Sequence, residues 1–407
     1  MRAFDIPDFY RSPLITEIKK IRKERDPRKR DFAPTYLDFG SVSFYIARHF
    51  GFCYGVENAI EISFRALAEN PGKRIFLLSQ MIHNPEVNKD LEAAGVKFLQ
   101  DTEGNSLLPF SELEKGDLVI IPAFGTTPQL ELKLDEIGIE FRKYNTTCPF
   151  VERVWKKSEV IGKQGYTIII HGKYRHEETR ATFARSLIHQ EALVIRDLKE
   201  AKILGSYITG ERDIGLFANE FAGRTSENFV PLRDLQKIGV INQTTMLASE
   251  TQEISNHLRA CMIQKYGKEN VHLHFADTRD TLCYATNENQ EATLKLLDVE
   301  ADFAIVAGGF NSSNTSHLAE LLESKFPTYF ISSEKDIASE GEIQHYDIHQ
   351  KKTIRTTNFM FTSKKPRIIL SSGASCPDAI IEGILRKILG FHKNVSADEA
   401  VIEAVLK

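Results

Sequence analysis

YTIIIHGKYRHEETRA, residues 166–181, passes from an unbroken apolar run into a polar turn and then a charged segment. An apolar run of this length, without alternation, predicts a strand buried on both faces, as in a parallel sheet covered by helices. The turn places His171, His176, Glu177 and Glu178 just past the strand end, where ligand sites of α/β sheets usually lie. A carboxylate beside imidazoles there suits a general acid. The competing reading is a charged helix start, with Glu set near free N–H groups.

Working outward, similar short runs recur at 118–121, 192–195, 303–306, 329–331 and 368–370, separated by amphipathic segments. Their alternation predicts an α/β fold with parallel sheets. Three cysteines punctuate that pattern: Cys53 in ARHFGFCYGVENAI, Cys148 in YNTTCPFVERVW and Cys283 in DTLCYATNENQEA. Each stands just before a helix-like run, with Val56, Ile60 and Phe64 after the first, Val151, Trp155 and Ile161 after the second, and Ala292, Leu296 and Leu297 after the third. Cysteines are often simply buried, but shared placement before three helices favours a common role. Helix N-termini lower a thiol pKa and stabilise an anionic centre. Three thiolates with no local fourth partner point to a metal centre with an open position, the arrangement of a catalytic site.

The cysteines divide the chain into three α/β domains, at 47–147, 148–281 and 282–391, with an N-terminal extension (1–46) and a C-terminal tail (392–407). Two to four domains suit a chain of 407 residues. Polar stretches at 182–238 and 337–365 read as elaborations without clustered ligands.

Hydrophobic residues at 42% and charged residues at 27% mark a globular chain. No apolar run approaches the ~20 residues that span a bilayer. Asp5, Asp8, Glu17, Glu24 and Asp26 interrupt the first 30 residues, so neither a secretory signal nor a transit peptide is predicted. Five scattered cysteines then fit a cytoplasmic location with free thiols. A net charge of −4 argues against nucleic acid as partner. The exception is a basic run of Lys19, Lys20, Arg22, Lys23, Arg25, Arg28, Lys29 and Arg30, read as a solvated helix or oligomer arm, with docking of an acidic protein as the alternative.

Other turns add neutral hydrogen-bonding groups. AGGFNSSNTSHLAEL carries Asn311, Ser312, Ser313, Asn314 and Thr315 into a helix, and five such residues exceed what an N-cap needs. ILSSGASCPDAIIEGIL repeats the logic with Gly373, Ser375 and Pro377. Two helix starts of this kind suggest a ligand with two phosphates. INQTTM contributes Asn242, Gln243, Thr244 and Thr245, and MIHNPEVN contributes His83 and Asn84. No GxxxxGK[ST], strand-linked GxGxxG, HExxH or GxSxG occurs.

GFCYGVENA, IHNPEVN, TTCPFVERVW, HGKYRHEET, NQTTM, CYATNENQEA, GGFNSSNTSHL and SSGASCPD together resemble the 4-hydroxy-3-methylbut-2-enyl diphosphate reductase family, in its long plant-like and cyanobacterial form. The resemblance spans roughly residues 47–390. It implies a trefoil of three small α/β domains around a central 4Fe-4S cluster, held by Cys53, Cys148 and Cys283 with one iron open. It also implies reductive dehydroxylation of the allylic diphosphate to isopentenyl and dimethylallyl diphosphate, the last step of the methylerythritol phosphate route. Glu178 matches the family's proton donor and Thr244 its relay partner; His83, His176, Ser312, Ser313, Asn314 and Ser375 match substrate-binding positions. An electron donor such as ferredoxin or flavodoxin, and a monomer or homodimer, follow from the same resemblance. Three positions depart from the pattern: Ala123-Phe124-Gly125 lacks a bacterial His, Asn289 replaces an Arg, and Cys376 follows Ser375. The rival readings are an iron–sulfur hydro-lyase acting without net reduction and a non-catalytic metal-bearing sensor.

Overall fold

Unbroken apolar runs do form the sheets. A computed structural model describes residues 4–276, 278, 281–360 and 365–406, and the chain divides into two compact units. The first unit comprises residues up to Glu61, Ile82–Asp90, and the chain from Tyr284 onward. Its main sheet runs in the order Thr35–Asp38, Ser43–Ile46, Arg367–Ser372, Phe303–Ala307, Thr328–Ile331. The first pair is antiparallel and all others are parallel. Phe303–Ala307, an interior strand flanked on both sides, is buried at every residue, as expected of a strand covered on both faces.

Helices cover this sheet with periodic apolar faces. On Asp378–Leu389, Ile381, Ile384, Leu385 and Ile388 fall at i, i+3, i+4 and i+7 and are fully buried. Each such side chain contributes about 1.5–3 kcal/mol of burial. Pro13–Arg25 adds Leu14, Ile15 and Ile18 to the same core. It starts where Ser12 accepts the Ile15 N–H and Pro13 fixes the first turn. Residues 1–46, set apart by sequence as an extension, therefore supply both a covering helix and two strands of this sheet. The 337–365 elaboration holds a three-stranded antiparallel sheet of Ile337–Ser339, Glu342–Asp347 and Lys352–Thr357.

The second unit, Ile62–Met81 with Leu91–Cys283, holds two parallel sheets. One orders Lys97–Phe98, Ile75–Leu77 and Leu118–Ile120. The other orders Ala192–Ile195, Thr167–His171, Ile238–Asn242 and Phe275–Ala276. The opening stretch of the sequence is thus a central strand, buried throughout. The 182–238 stretch is not peripheral: Leu193, Ile195, Ala201, Leu204 and Ile208 lie fully inside this unit's core. The chain is accordingly α/β with several parallel sheets.

Candidate functional site at strand ends

All three cysteines occupy the same kind of position. Cys148 is the N-cap of Pro149–Lys163, with Pro149 at the first helical position. Cys53 and Cys283 immediately precede Tyr54–Glu69 and Tyr284–Leu296. Their backbones are tied alike. The N–H of Cys53 donates to Ala374 O (3.1 Å), that of Cys148 to Ala123 O (2.9 Å), and that of Cys283 to Thr244 O (3.2 Å). Each accepting carbonyl lies two or three residues past a parallel strand, respectively Arg367–Ser372, Leu118–Ile120 and Ile238–Asn242. Three thiols are thereby held at helix N-termini, each on a strand-end loop of its own sheet.

In the second unit Glu178 and Cys148 share one electrostatic environment with Cys283. Glu178 sits in the first turn of Glu177–Ser186 and is 1% exposed. Its Oε1 accepts the Thr244 N–H at 2.6 Å and its Oε2 the Thr244 hydroxyl at 2.9 Å. Burial nevertheless dominates and pushes its pKa up to about 7, against the lowering effect of those bonds. Burial first, and the nearby Cys283 and Glu178 to a lesser degree, push the Cys148 thiol up to about 12. A buried thiol among negative neighbours ionises only beside a compensating cation, which is the environment of a metal ligand. Among the described residues no group of three His, Cys, Asp or Glu is gathered as a metal site, and the cysteines are divided between the two units.

His176 caps its helix: Nδ1 accepts the Glu178 N–H at 3.2 Å, so in the neutral ring the proton sits on Nε2. Phe124, in place of the bacterial His, packs edge-on against that imidazole with centroids 5.4 Å apart. Gly125 beside it has φ +74, and a Cβ there would collide with the Trp155 ring.

Two connections escape sequence reading. Gln243 Oε1 accepts the Lys173 N–H (3.0 Å) and the Thr179 hydroxyl (3.1 Å), joining the HGKYRHEET and NQTTM turns. Asn242 Oδ1 accepts the Thr281 N–H (3.0 Å) and hydroxyl (2.6 Å), anchoring the approach to Cys283. An Asn or Gln following an apolar strand was the only available signal.

In the first unit three turns meet. Ser312 caps Ser313–Glu323, its Oγ receiving the Thr315 N–H at 3.3 Å and bonding the Thr315 hydroxyl at 2.9 Å. Ser375 Oγ donates to His83 O at 3.0 Å. A Cβ on Gly309 would strike His83 O, and one on Gly373 would strike Thr315 Oγ1, so glycine permits the close approach of these turns. Ser313 and Asn314 are 1% and 3% exposed. Both polar atoms of the Asn314 amide are buried without a hydrogen-bond partner among the described residues. Such an amide costs about 1–3 kcal/mol unless a ligand satisfies it. His83, Ser312, Ser313, Asn314 and Ser375 thus stand together here, while His176, Glu178 and Thr244 belong to the other unit.

Cys376 is fully buried in the apolar core of the first unit, where burial pushes its thiol up. Cys261 is likewise core, 3.6 Å from His257 Nε2. Cys376 also stands at a helix start, one residue before the N-cap Pro377 of Asp378–Leu389, but is sealed in the core, whereas Cys261 lies within Ala248–Tyr266.

Parallel strand ends, helix starts and strapped thiols define an α/β protein with its polar turns at the carboxyl edges of its sheets. The chain belongs to the LytB protein family, which matches residues 44–389. A 4-hydroxy-3-methylbut-2-enyl diphosphate reductase of Prochlorococcus marinus (strain MIT 9301) is 38% identical over 390 residues, covering 95% of this chain and 92% of the relative. One from Thermosynechococcus vestitus is 40% identical over 354 residues, 87% of this chain and 86% of the relative. The fold is also similar to the solved E-1-hydroxy-2-methyl-but-2-enyl-4-diphosphate reductase of Plasmodium falciparum, with TM-score 0.61 and 21% identity over 87% of this chain and 90% of that one.

Proposed function

We propose that the chain reduces 4-hydroxy-3-methylbut-2-enyl diphosphate to isopentenyl and dimethylallyl diphosphate, the last step of the methylerythritol phosphate route. The observation that carries this reading is the repeated cysteine setting, a helix start whose N–H is strapped to a strand-end carbonyl. Helix N-termini favour an anionic centre, and Cys53, Cys148 and Cys283 supply three thiolates for a 4Fe-4S cluster with one iron lacking a protein ligand. When bound, that cluster supplies two electrons, one at a time, and Lewis acidity toward the substrate hydroxyl.

The chain's own groups handle protons and binding. Glu178, with its pKa near 7, is about half protonated at neutral pH and gives that proton toward the leaving hydroxyl through the Thr244 Oγ it touches. Two electrons and two protons convert C–OH into C–H and water, and protonation at either end of the allyl unit gives the two products. His83, His176, Ser312, Ser313, Asn314 and Ser375 bind substrate through hydrogen bonds, assisted by the helix start at Ser313. Orienting the substrate and excluding water are the protein's share of the rate.

The three-domain division, a cytoplasmic location, a ferredoxin or flavodoxin donor and a monomeric or homodimeric state belong to the same proposal. Among the described residues no helix is long and apolar enough to cross a membrane. Anaerobically purified protein tested by paramagnetic resonance and product analysis is expected to carry the cluster and form both products only with a one-electron donor. Turnover without a donor would favour the hydro-lyase reading, and a colourless, fully zinc-loaded protein without activity would refute the reductase.

A further inference from the structure

A pocket of about 210 Å³ in the first unit, whose lining includes none of His83, Ser312, Ser313, Asn314 and Ser375, is walled by Cys53 itself. Its lining includes Lys19, Lys23, Lys29, Arg48, His49 and Asn289, with Glu288 the one carboxylate among the lining residues. Three cations are partly neutralised, Lys19 by Asp378 (2.6 Å), Lys29 by Glu288 (2.9 Å) and Arg48 by Asp26 (4.0 Å). Lys23 is exposed and has no carboxylate partner among the described residues. Arg48 Nε, His49 Nε2 and Asn289 Nδ2 are buried without hydrogen-bond partners there. Such groups are costly unless something arrives to satisfy them.

The surrounding sequence strengthens the field. Residues 19–30 hold eight basic side chains against two acidic ones, in a chain whose net charge is −4. Three of these, Lys19, Lys23 and Lys29, line the pocket together with Arg48. Phe50, Phe52 and Tyr284 also line it, so an apolar wall accompanies the cations beside Cys53.

We infer that this pocket is the docking site for an acidic iron–sulfur electron-transfer protein, which sets carboxylates into it and passes electrons toward the centre held by Cys53. The inference rests on the proposed reductase activity, whose need for single electrons it explains. Each docking oxidises one reduced [2Fe–2S] partner by one electron; two dockings and two protons complete one reduction with release of water. Electron-transfer encounters are small and steered by complementary charge. A free small anion would satisfy the same donors but gives no reason for a cluster ligand in the wall.

The test compares Lys23→Glu with Lys20→Glu, which makes the same charge change on the same helix outside the pocket lining. The binding constant of an oxidised acidic plant-type ferredoxin is measured by calorimetry at low and high salt. The ratio of ferredoxin-driven to dye-driven turnover is measured in parallel. Lys23→Glu is expected to weaken binding about tenfold or more at low salt, to lower that ratio, and to lose much of its effect at high salt. Lys20→Glu should change binding by less than about threefold. Equal effects of the two variants, no effect of either, or displacement of inorganic phosphate rather than ferredoxin would overturn the docking site. Absence of dye-driven turnover in the unsubstituted enzyme would instead refute the reductase reading.

Discussion

Substituting Glu178 by Gln keeps the shape of the side chain and removes its charge, so it isolates the energetic consequence of burying an acid. The carboxyl is 1% exposed, and burial lifts its pKa from 4.5 to about 7. Because the folded value lies above the unfolded one, the contribution to stability is fully present below about pH 4.5 and is lost as pH rises through about 7. The gap of about 2.5 units, at about 1.4 kcal/mol per unit, amounts to roughly 3–4 kcal/mol between the acid and alkaline limits. Gln carries no such titration. Its oxygen still accepts the Thr244 N–H and its amide donates to the Thr244 Oγ, replacing the two bonds of the carboxyl. Wild type and variant should therefore be nearly equal in stability near about pH 4, with the variant ahead by about 3–4 kcal/mol near about pH 9. Urea unfolding of the apo-protein reads this directly, because Trp155 is the sole tryptophan and belongs to the same unit as Glu178. It touches the same helix, donating from Nε1 to Thr182 Oγ1 at 3.1 Å. The more stable variant should retain iron yet lose most turnover, a separation of stability from activity. A stability gap that does not change with pH, or grows toward acid, would refute the argument that burial sets this proton.

Asn314→Ala should leave the apo-protein as stable or more so, since it deletes an amide without partners, while weakening the diphosphate substrate about tenfold in calorimetry. Gly373→Ala is expected to destabilise the first unit by about 1–3 kcal/mol and to raise KM, because its methyl meets Thr315 Oγ1; urea unfolding and steady-state kinetics check both. Cys376→Ala should keep the full iron complement at a stability loss of about 1 kcal/mol, whereas Cys148→Ala should lower iron content in anaerobic metal analysis. Turnover limited by proton donation should fall as pH rises through about 7, and the limb should vanish in residual Glu178→Gln activity.

What sequence made legible was governed by local pattern. Strands buried on both faces announce themselves, so 192–195 is recovered in full and the apolar run that follows Tyr166 is recovered as Thr167–His171. The cysteine positions were equally readable, because a helix start depends on its own next turn. Thr35–Asp38 was not readable: its alternating burial is weak over four residues. Ser43–Ile46 pairs with Arg367–Ser372, over 300 residues away, so its sheet membership depends on tertiary register. The same limit hid the straps on the cysteines. Their acceptors are the carbonyls of Ala374, Ala123 and Thr244, and a backbone carbonyl has no residue signature.

Those straps give the opening pattern its physical content. A cysteine before a helix would otherwise be free to swing, since the first N–H groups of a helix lack internal partners. Tying the cysteine N–H to a carbonyl just past a parallel strand fixes the entry to the helix and the Cα position together. Thr244 carries this furthest: its carbonyl holds Cys283, while its N–H and hydroxyl hold Glu178. One residue thus sets both a thiol and an acid, and displacing its backbone would disturb both at once. Thr244→Val tests the division of labour. Its side chain keeps the β-branched shape but loses the bond to Oε2, whereas both backbone bonds remain. The expected result is a Glu178 pKa moved further upward, since a bond that favoured the charged form is gone, with iron content unchanged. Loss of iron in that variant would show that the hydroxyl, not the backbone, secures Cys283.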